Sequence, residues 1–177
     1  MYEDEAIFQV QGTMSRTWAI RGKGREVYSK PCRESMKVYG ALTVEENPSL
    51  NFRFTEVFNG DSFLRFIRHL VRHYEGTKIH LVVDNVKYHH SRQVRDWLEE
   101  NKDKIEIHYL PPYSPQFNAQ EGIWRLTRRK MTHNKFFNSA RQLYERLFRQ
   151  FNRFQGNSAY LRGIVHPFLM DGLKNAG

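Results

Sequence analysis

The sequence has few of the cysteines that form disulfides or bind structural metal ions, and it has no long apolar runs. It contains one cysteine, Cys32, which excludes an intramolecular disulfide, and it lacks the paired Cys/His spacing of structural zinc sites. No stretch approaches the ~18 consecutive apolar residues of a membrane-spanning helix. The first residues lack the basic-then-apolar order of a signal peptide. We therefore expect a globular protein of a reducing compartment, cytoplasmic and without membrane contact.

Acidic residues are also scarce relative to basic ones. Lys and Arg number 28 against 19 Asp and Glu, which gives a formal net charge of +9 and a pI near 9.8. Between Arg125 and Arg153 the only acidic residue is Glu145. A solvated helical face usually mixes its signs, so this segment favours a surface that contacts phosphates over a merely soluble basic one. The candidate DNA contacts are Arg125, Arg128, Arg129 and Lys130.

Hydrophobic periodicity predicts an α/β fold. Period-two patterns predict strands at 6–10, 18–20, 27–29, 37–44 and 52–58, which together indicate an antiparallel meander. Helices are predicted from Asp61 or Ser62 to Gly76, after Ser91, from Asn118 or Ala119, and after Ser139. Strands at 79–83 and 105–109 alternate with these helices. A mixed sheet covered by helices, with parallel crossovers in its second half, follows from this order.

Three acidic residues occupy positions that suit catalysis. Asp84 ends an apolar strand, at the edge where open α/β sheets keep their sites; Asp4 lies at the first strand, and Glu121 in the first turn of a helix. If the first strand pairs beside the 79–83 strand, these carboxylates converge, and their mutual repulsion calls for divalent cations. Each also has a simpler interpretation. Asp84 could form a turn, Asp4 could belong to a solvated terminus, and Glu121 could interact favourably with the helix dipole.

Local motifs resemble one family. Residues 81–91 read LVVDNVKYHHS and resemble the Asp-Asn-x-x-x-His motif around the second catalytic aspartate of mariner-type transposases. Residues 110–124 read LPPYSPQFNAQEGIW and resemble the Pro-Tyr-Ser-Pro motif that leads to the third acid in the bacterial and archaeal insertion-sequence branch. Residues 2–5 match the segment that carries the first acid, and residues 17–22 and 38–42 also fit, so the resemblance extends from about residue 2 to about residue 130.

The resemblance implies a ribonuclease-H-like mixed five-stranded sheet flanked by helices. It implies that Asp4, Asp84 and Glu121 hold two Mg²⁺ ions, for which Mn²⁺ substitutes, and that the protein cuts transposon-end DNA and transfers the 3′-hydroxyl strand into target DNA at a TA dinucleotide. It further implies a homodimer in a synaptic complex and a prokaryotic, nucleoid-associated setting. Two alternatives stay open: a nuclease or resolvase on this fold that cuts without joining, and a domesticated remnant that only binds DNA or a partner.

Residues around the acids have secondary roles in this interpretation. Asn85 and His89 belong to the second-acid motif, where His89 contacts the scissile phosphate or positions the site; a surface histidine is the alternative. Asn118, Tyr113 and Ser114 fix the loop before Glu121, and Pro112 and Pro115 stiffen it. Trp124 is expected in the core, because it falls at helical spacing with apolar residues.

Some features depart from the family. Gln116, Ala119 and Gln120 replace an acid, a proline and an aliphatic residue, which affects the geometry of the loop more than its chemistry. The family usually has an N-terminal helix-turn-helix region, whereas this chain opens inside the first catalytic strand. We therefore expect residues 1–177 to form a single catalytic domain, with 155–177 as a C-terminal extension.

Overall fold

Two antiparallel pairings and two parallel ones arrange the strands in one mixed sheet. The computed structural model describes residues 1–18, 20–23, 26–28, 31–111 and 114–174, with side chains except at 115 and 167–174. The strands are β1 (Tyr2–Gln9), β2 (Ser35–Leu42), β3 (Leu50–Thr55), β4 (Ile79–Val83) and β5 (Ile105–Tyr109). The five-stranded sheet has the order β3-β2-β1-β4-β5. β2 pairs antiparallel with β1 and β3, and β4 pairs parallel with β1 and β5. The predicted mixed sheet is confirmed.

Helices connect and cover these strands. They are α1 (Gly60–His73), α2 (Arg92–Glu100), α3 (Gln120–Thr127), α4 (Ala140–Gln155) and α5 (Ser158–Lys174), with short 3-10 helices at Lys87–His90 and Pro115–Phe117 and a π-helical turn at Arg128–Thr132. α1 begins earlier than predicted, because Asn59 and Ser62 form a reciprocal capping box. Ser139 caps α4 as expected, its side chain accepting a hydrogen bond from the Gln142 N–H.

The sheet carries a separate hydrophobic cluster on each face. On one face, Ala6 and Phe8 of β1 pack with Ile123 and Trp124 of α3 and with residues of α4 and α5. On the other face, alternate residues of β4 pack against α1 and α2. Each face buries its own apolar layer, and β1 in the middle of the sheet contributes buried side chains to the first of them.

Two predicted strands are wrong. The described residues of 18–20 and 27–29 have no regular strand structure, and Ala19 and Ser29 lie outside the described residues. Trp18 is fully exposed, and Ile20 and Tyr28 are also exposed. These segments contain residues with high strand propensity but find no partner strand, so propensity alone does not order them.

One helix was not predicted. α5 follows α4 directly, and its Leu161 and Val165 are fully buried in the first hydrophobic cluster. Its amphipathic pattern is weak, which explains why periodicity did not reveal it. None of the helices in the described ranges combines the length and apolar character needed to cross a bilayer.

Gly40 allows α3 to lie close to the sheet. It faces α3 from the middle of β2, and a Cβ placed there would collide with the Gln120 side chain and come 2.6 Å from Cη2 of Trp124. Trp124 is itself fully buried and packs edge-on against Phe8 and Phe151. The absent side chain therefore sets the depth at which α3 docks, and α3 carries Glu121.

The substitution Gly40→Ala should destabilise the protein by about 1–3 kcal/mol, because the added methyl group overpacks the space that Trp124 fills. Urea unfolding followed by circular dichroism measures the change. Gly163→Ala is the matched control: nothing lies within 4 Å of its added Cβ, and alanine favours a helix, so stability should stay equal or rise by up to about 1 kcal/mol. Equal stability of Gly40→Ala and the wild type would contradict this account of α3 docking.

Candidate active site

The acidic residues at the start of β1 point to opposite sides of the sheet. Asp4 faces α3, on the same side as Ala6 and Phe8, and the Trp124 Nε1–H donates a hydrogen bond of 3.0 Å to its Oδ2. Glu3 and Glu5 face the other side, towards α1 and the 3-10 helix at Lys87–His90. The solvated-terminus interpretation of this segment is wrong, because Glu3 is fully buried.

Asp84 follows the last residue of β4 and meets the acids of β1. One carboxylate oxygen each from Asp4, Glu5 and Asp84 lies within 4.8 Å of the others. The Asp84 side chain is 42% exposed, so this group of oxygens opens to solvent. The Val86 N–H donates a hydrogen bond of 3.4 Å to Oδ1 of Asp84 and orients the carboxylate. The structure thus brings two of the three predicted acids together and adds Glu5, which the sequence analysis missed.

Glu121 approaches from α3. Its negative charge contributes to raising the pKa of Asp4, and it lies one helical turn before Trp124, which binds Asp4 directly. Its carboxylate is not among the oxygens of the described residues that lie within 4.8 Å of one another. Oε1 of Glu121 instead lies 3.7 Å from Nη1 of Arg128, and both side chains are partly exposed. The third acid therefore borders the Asp4–Asp84 pair and does not join it.

Asn118 links the loop before α3 to β1. It is buried, and its Nδ2–H donates a hydrogen bond of 2.9 Å to the carbonyl oxygen of Glu3, while its Oδ1 accepts one of 3.0 Å from the Gln120 N–H. The predicted loop-fixing role fits this geometry. Pro112 and Tyr113, which were expected to help, lie outside the described residues.

His89 is buried beneath the second acid. Its Nδ1–H donates to the carbonyl oxygen of Asp84 at 3.1 Å, and its ring packs against Phe63 with centroids 4.1 Å apart. Its Nε2 lies 3.3 Å from Oε1 of Glu5 but is not aligned for a hydrogen bond with it. The surface-histidine alternative is wrong, since His89 has no exposed area. Asn85 is exposed, and its Oδ1 accepts a hydrogen bond of 2.6 Å from His90.

Burial and charge repulsion favour the protonated forms of Glu3 and Asp4. Burial raises the pKa of Asp4 to about 7, and the charges of Glu5, Glu121 and Asp84 add to the increase. Burial, followed by the charges of Glu5, Asp4 and Asp84, raises the pKa of Glu3 well above its usual range. Neither carboxylate oxygen of Glu3 has a hydrogen-bond partner among the described residues. The site gathers acidic groups whose ionised forms the described surroundings do not stabilise.

Basic side chains border α3 and the π-helical turn. Arg125 and Arg129 are exposed, the Arg128 guanidinium lies over the Phe8 ring at 5.6 Å, and Lys130 bonds to the Tyr160 hydroxyl. Arg129 and Lys130 also line a polar groove with Arg16, His133 and Lys135. Asn134 shapes this groove by exchanging hydrogen bonds with the Ser15 backbone. Sequence analysis missed Arg16, which is far from the basic segment along the chain.

The mixed five-stranded sheet with helices on both faces is of the ribonuclease-H-like class, and the comparisons agree with this fold. Residues 1–144 match the family described as DDE superfamily endonuclease, so the chain belongs to this family. The resemblance predicted from the motifs is confirmed.

Relatives support both the family and the fold. The insertion element IS630 uncharacterized 39 kDa protein of Shigella sonnei is 29% identical over 152 residues, which cover 82% of this chain and 42% of the relative. The chain thus spans less than half of that relative. The Mos1 strand transfer complex superposes with a TM-score of 0.66 at 16% identity, covering 93% of this chain and 50% of the Mos1 chain. The catalytic domain of Mos1 mariner transposase gives a TM-score of 0.59 at 14% identity, covering 93% and 74%.

Removal of the Asp4 charge should stabilise the metal-free protein at high pH. The folded-state pKa of Asp4, about 7, exceeds the usual 3.8. The free energy of unfolding therefore falls as pH rises from about 4 to about 7, and above pH 7 the contribution of Asp4 stays at its minimum. In EDTA at pH 8 we expect Asp4→Asn to raise the free energy of unfolding by about 2 kcal/mol, below the roughly 4 kcal/mol of the full shift because the site relaxes. Below pH 4 the two proteins should differ little.

Urea unfolding at several pH values measures this difference. Asp103→Asn, in an exposed turn, is the matched control and should show no such dependence. If Asp4→Asn were less stable than the wild type at pH 8, the cost assigned to burial of the Asp4 charge and to repulsion from its neighbours would be wrong.

Proposed function

We propose that this chain is the catalytic unit of a DDE transposase that cuts transposon-end DNA and joins the freed 3′-hydroxyl to target DNA. The observation that carries the proposal is the meeting of Asp4 and Asp84 at the sheet edge, with Glu121 bordering them, in a chain of the DDE superfamily endonuclease family. Asp4, Asp84 and Glu121 are the proposed catalytic acids. Cut-and-paste movement and a TA target are part of the proposal through the resemblance of the motifs.

The residues present suit hard divalent cations. The donors are carboxylate oxygens, as Mg²⁺ and Mn²⁺ prefer. Burial first, and then the negative charges of neighbouring acids, raise the pKa of Asp4, and a cation would offset both effects. Solved Mos1 paired-end complexes with Mn and with Mg share this fold. We propose that Asp4, Asp84 and Glu121 hold two such ions. When bound, the ions supply Lewis acidity to the phosphate and to the attacking oxygen.

The chain's own residues hold the acids in place. Trp124 donates a hydrogen bond to Oδ2 of Asp4 and fixes the position of this carboxylate. His89 holds the Asp84 backbone through its carbonyl oxygen, and the Val86 N–H orients the side chain. Asn118 joins the loop before Glu121 to β1. Such preorganisation reduces the cost of gathering like charges around a substrate phosphate.

DNA is the proposed partner. The groove lined by Arg16, Arg129, Lys130, His133 and Lys135 offers cations to the backbone phosphates. Mos1 structures with this fold are described as a strand transfer complex and as paired-end complexes with a transposon end. By analogy we propose a homodimer that synapses two ends. The Shigella relative supports a prokaryotic element, and a nucleoid-associated location is part of the same proposal.

Substitution of the proposed acids should abolish both DNA cleavage and strand transfer. Asp84→Asn and Glu121→Gln each remove a cation ligand while keeping the side-chain shape, and we expect losses of at least about a hundredfold, because even residues that only support metal ligands contribute 10–100-fold. Nicking of supercoiled plasmid in Mn²⁺ measures cleavage, and joining of a labelled 3′-hydroxyl oligonucleotide to plasmid measures transfer. Glu99→Gln, on the exposed face of α2, should keep wild-type rates.

These two assays also separate the alternatives. Wild-type nicking without joining would favour a nuclease or resolvase, and DNA binding with neither reaction would favour a domesticated remnant. Wild-type rates in Asp84→Asn would overturn the assignment of the acids.

Substitution of the exposed arginines should weaken binding to all DNA sequences by a similar factor. Arg125→Ala and Arg129→Ala each remove a phosphate contact, so the slope of log K against log salt should become less steep by about 0.9 per contact. Fluorescence anisotropy with two unrelated duplexes over a salt series gives the slope. Arg92→Ala, at the start of α2 where Arg92 pairs with Asp96, is the control. An unchanged slope in both variants would remove these residues from the DNA interface.

A further inference from the structure

A second group of metal-ligating side chains lies on the sheet surface away from the acids. His80 of β4 and Glu106 and His108 of β5 are all exposed. They project on the side of the sheet opposite Ile79, Leu81 and Ile105, which are buried against α1 and α2. On that side α3 and α4 pack over β1, β2 and β3. The face of β4 and β5 that carries these side chains is open to solvent.

The parallel register brings the three side chains together. His80 lies opposite Glu106, and His108 opposite Val82, one pleat further along. Nδ1 of His80 and Nε2 of His108 are 3.0 Å apart, and the Glu106 carboxylate oxygens lie 4.0 Å from the first and 3.9 Å from the second. Three ligand atoms, one from each residue, fall within 4.8 Å of one another. In a tetrahedral site with metal–nitrogen bonds of 2.0–2.1 Å, ligand atoms are about 3.3 Å apart, so small rotations would complete the geometry.

The donors select a particular class of ion. Two imidazoles and one carboxylate suit Zn²⁺, and also Ni²⁺ and Cu²⁺, whereas Mg²⁺ prefers oxygen ligands and retains its water. Lys78 contacts Oε2 of Glu106 at 2.8 Å and leaves Oε1 directed towards His108. Glu106, the third ligand, thus keeps Oε1 for a metal ion held by the two histidines.

We propose that His80, Glu106 and His108 form a surface binding site for Zn²⁺ or a similar imidazole-preferring cation, separate from the acidic site. His80 lies in β4 and precedes Asp84, the residue directly after this strand, by four residues, a separation of about 13 Å at roughly 3.3 Å per residue. The bound ion joins the edge strand β5 to β4 and leaves a fourth coordination position for water or for a ligand from another molecule. This inference does not depend on the proposed function.

Zn²⁺ titration of the whole chain by isothermal calorimetry tests the site, with millimolar Mg²⁺ present to occupy the acids. The wild type should bind one Zn²⁺ at this site, and His80→Ala and His108→Ala should each lose affinity by at least about tenfold. His73→Ala, an exposed histidine on α1 stacked on His69, is the matched control and should bind as the wild type does. Circular dichroism confirms that each variant folds, since both substituted strand side chains are exposed.

A thermal measurement gives an independent readout. Saturating Zn²⁺ should raise the melting temperature of the wild type, because a ligand that binds only the folded state stabilises it, and should raise it less in His108→Ala. The proposal is overturned if the wild type binds no Zn²⁺ in Mg²⁺, if both strand variants bind with wild-type affinity, or if Asp84→Asn, and not His108→Ala, removes the binding.

Discussion

The hydrogen bond from Trp124 to Asp4 joins the helix that carries the third acid to the strand that carries the first. Asn118 adds a second link, from the preceding loop to the Glu3 carbonyl. Gly40 leaves the space into which the indole fits. Because Trp124 and Glu121 lie one turn apart on α3, the depth and rotation of this docking decide where the Glu121 carboxylate stands. The position of the third acid is thus a consequence of core packing.

The same strand gathers more negative charge than its described neighbours neutralise. Glu3, Asp4 and Glu5 are consecutive, and Asp84 meets them from β4. His89 lies within 4.0 Å of carboxylate oxygens of Glu3, Glu5 and Asp84, yet its Nδ1 binds the Asp84 carbonyl oxygen. Buried carboxylates without partners cost folding free energy, and proteins retain such groups where a cation or substrate compensates for them. Under the proposed function, a bound cation would offset the cost that this cluster imposes on folding.

The sequence predicted elements correctly where apolar periodicity is strong. It failed where tertiary contacts determine whether a segment becomes a strand or a helix. The bounds of β4 and β5 were predicted correctly, since apolar residues mark both strands. The exposed segment around Trp18 has strand propensity but no partner. α5 contains Gly163 and Pro167, which local propensity assigns to breaks, and it is stabilised by burial of Leu161. Strand alternation could have revealed that Glu3 and Glu5 share the face opposite Asp4, but the burial of His89 depends on tertiary contacts that no local pattern records.

The division of the core into two clusters has a consequence for cooperativity. Glu121 belongs to the layer of α3, α4 and α5, whereas Asp84 follows a strand packed against α1 and α2. Subglobal opening of the first layer, of the kind that native-state hydrogen exchange detects, would displace one acid while β4, β5, α1 and α2 stayed protected. The chain could then keep most of its secondary structure while Glu121 separates from Asp84. The proposed activity would then depend on the stability of the layer formed by α3, α4 and α5, and not on the global free energy of unfolding.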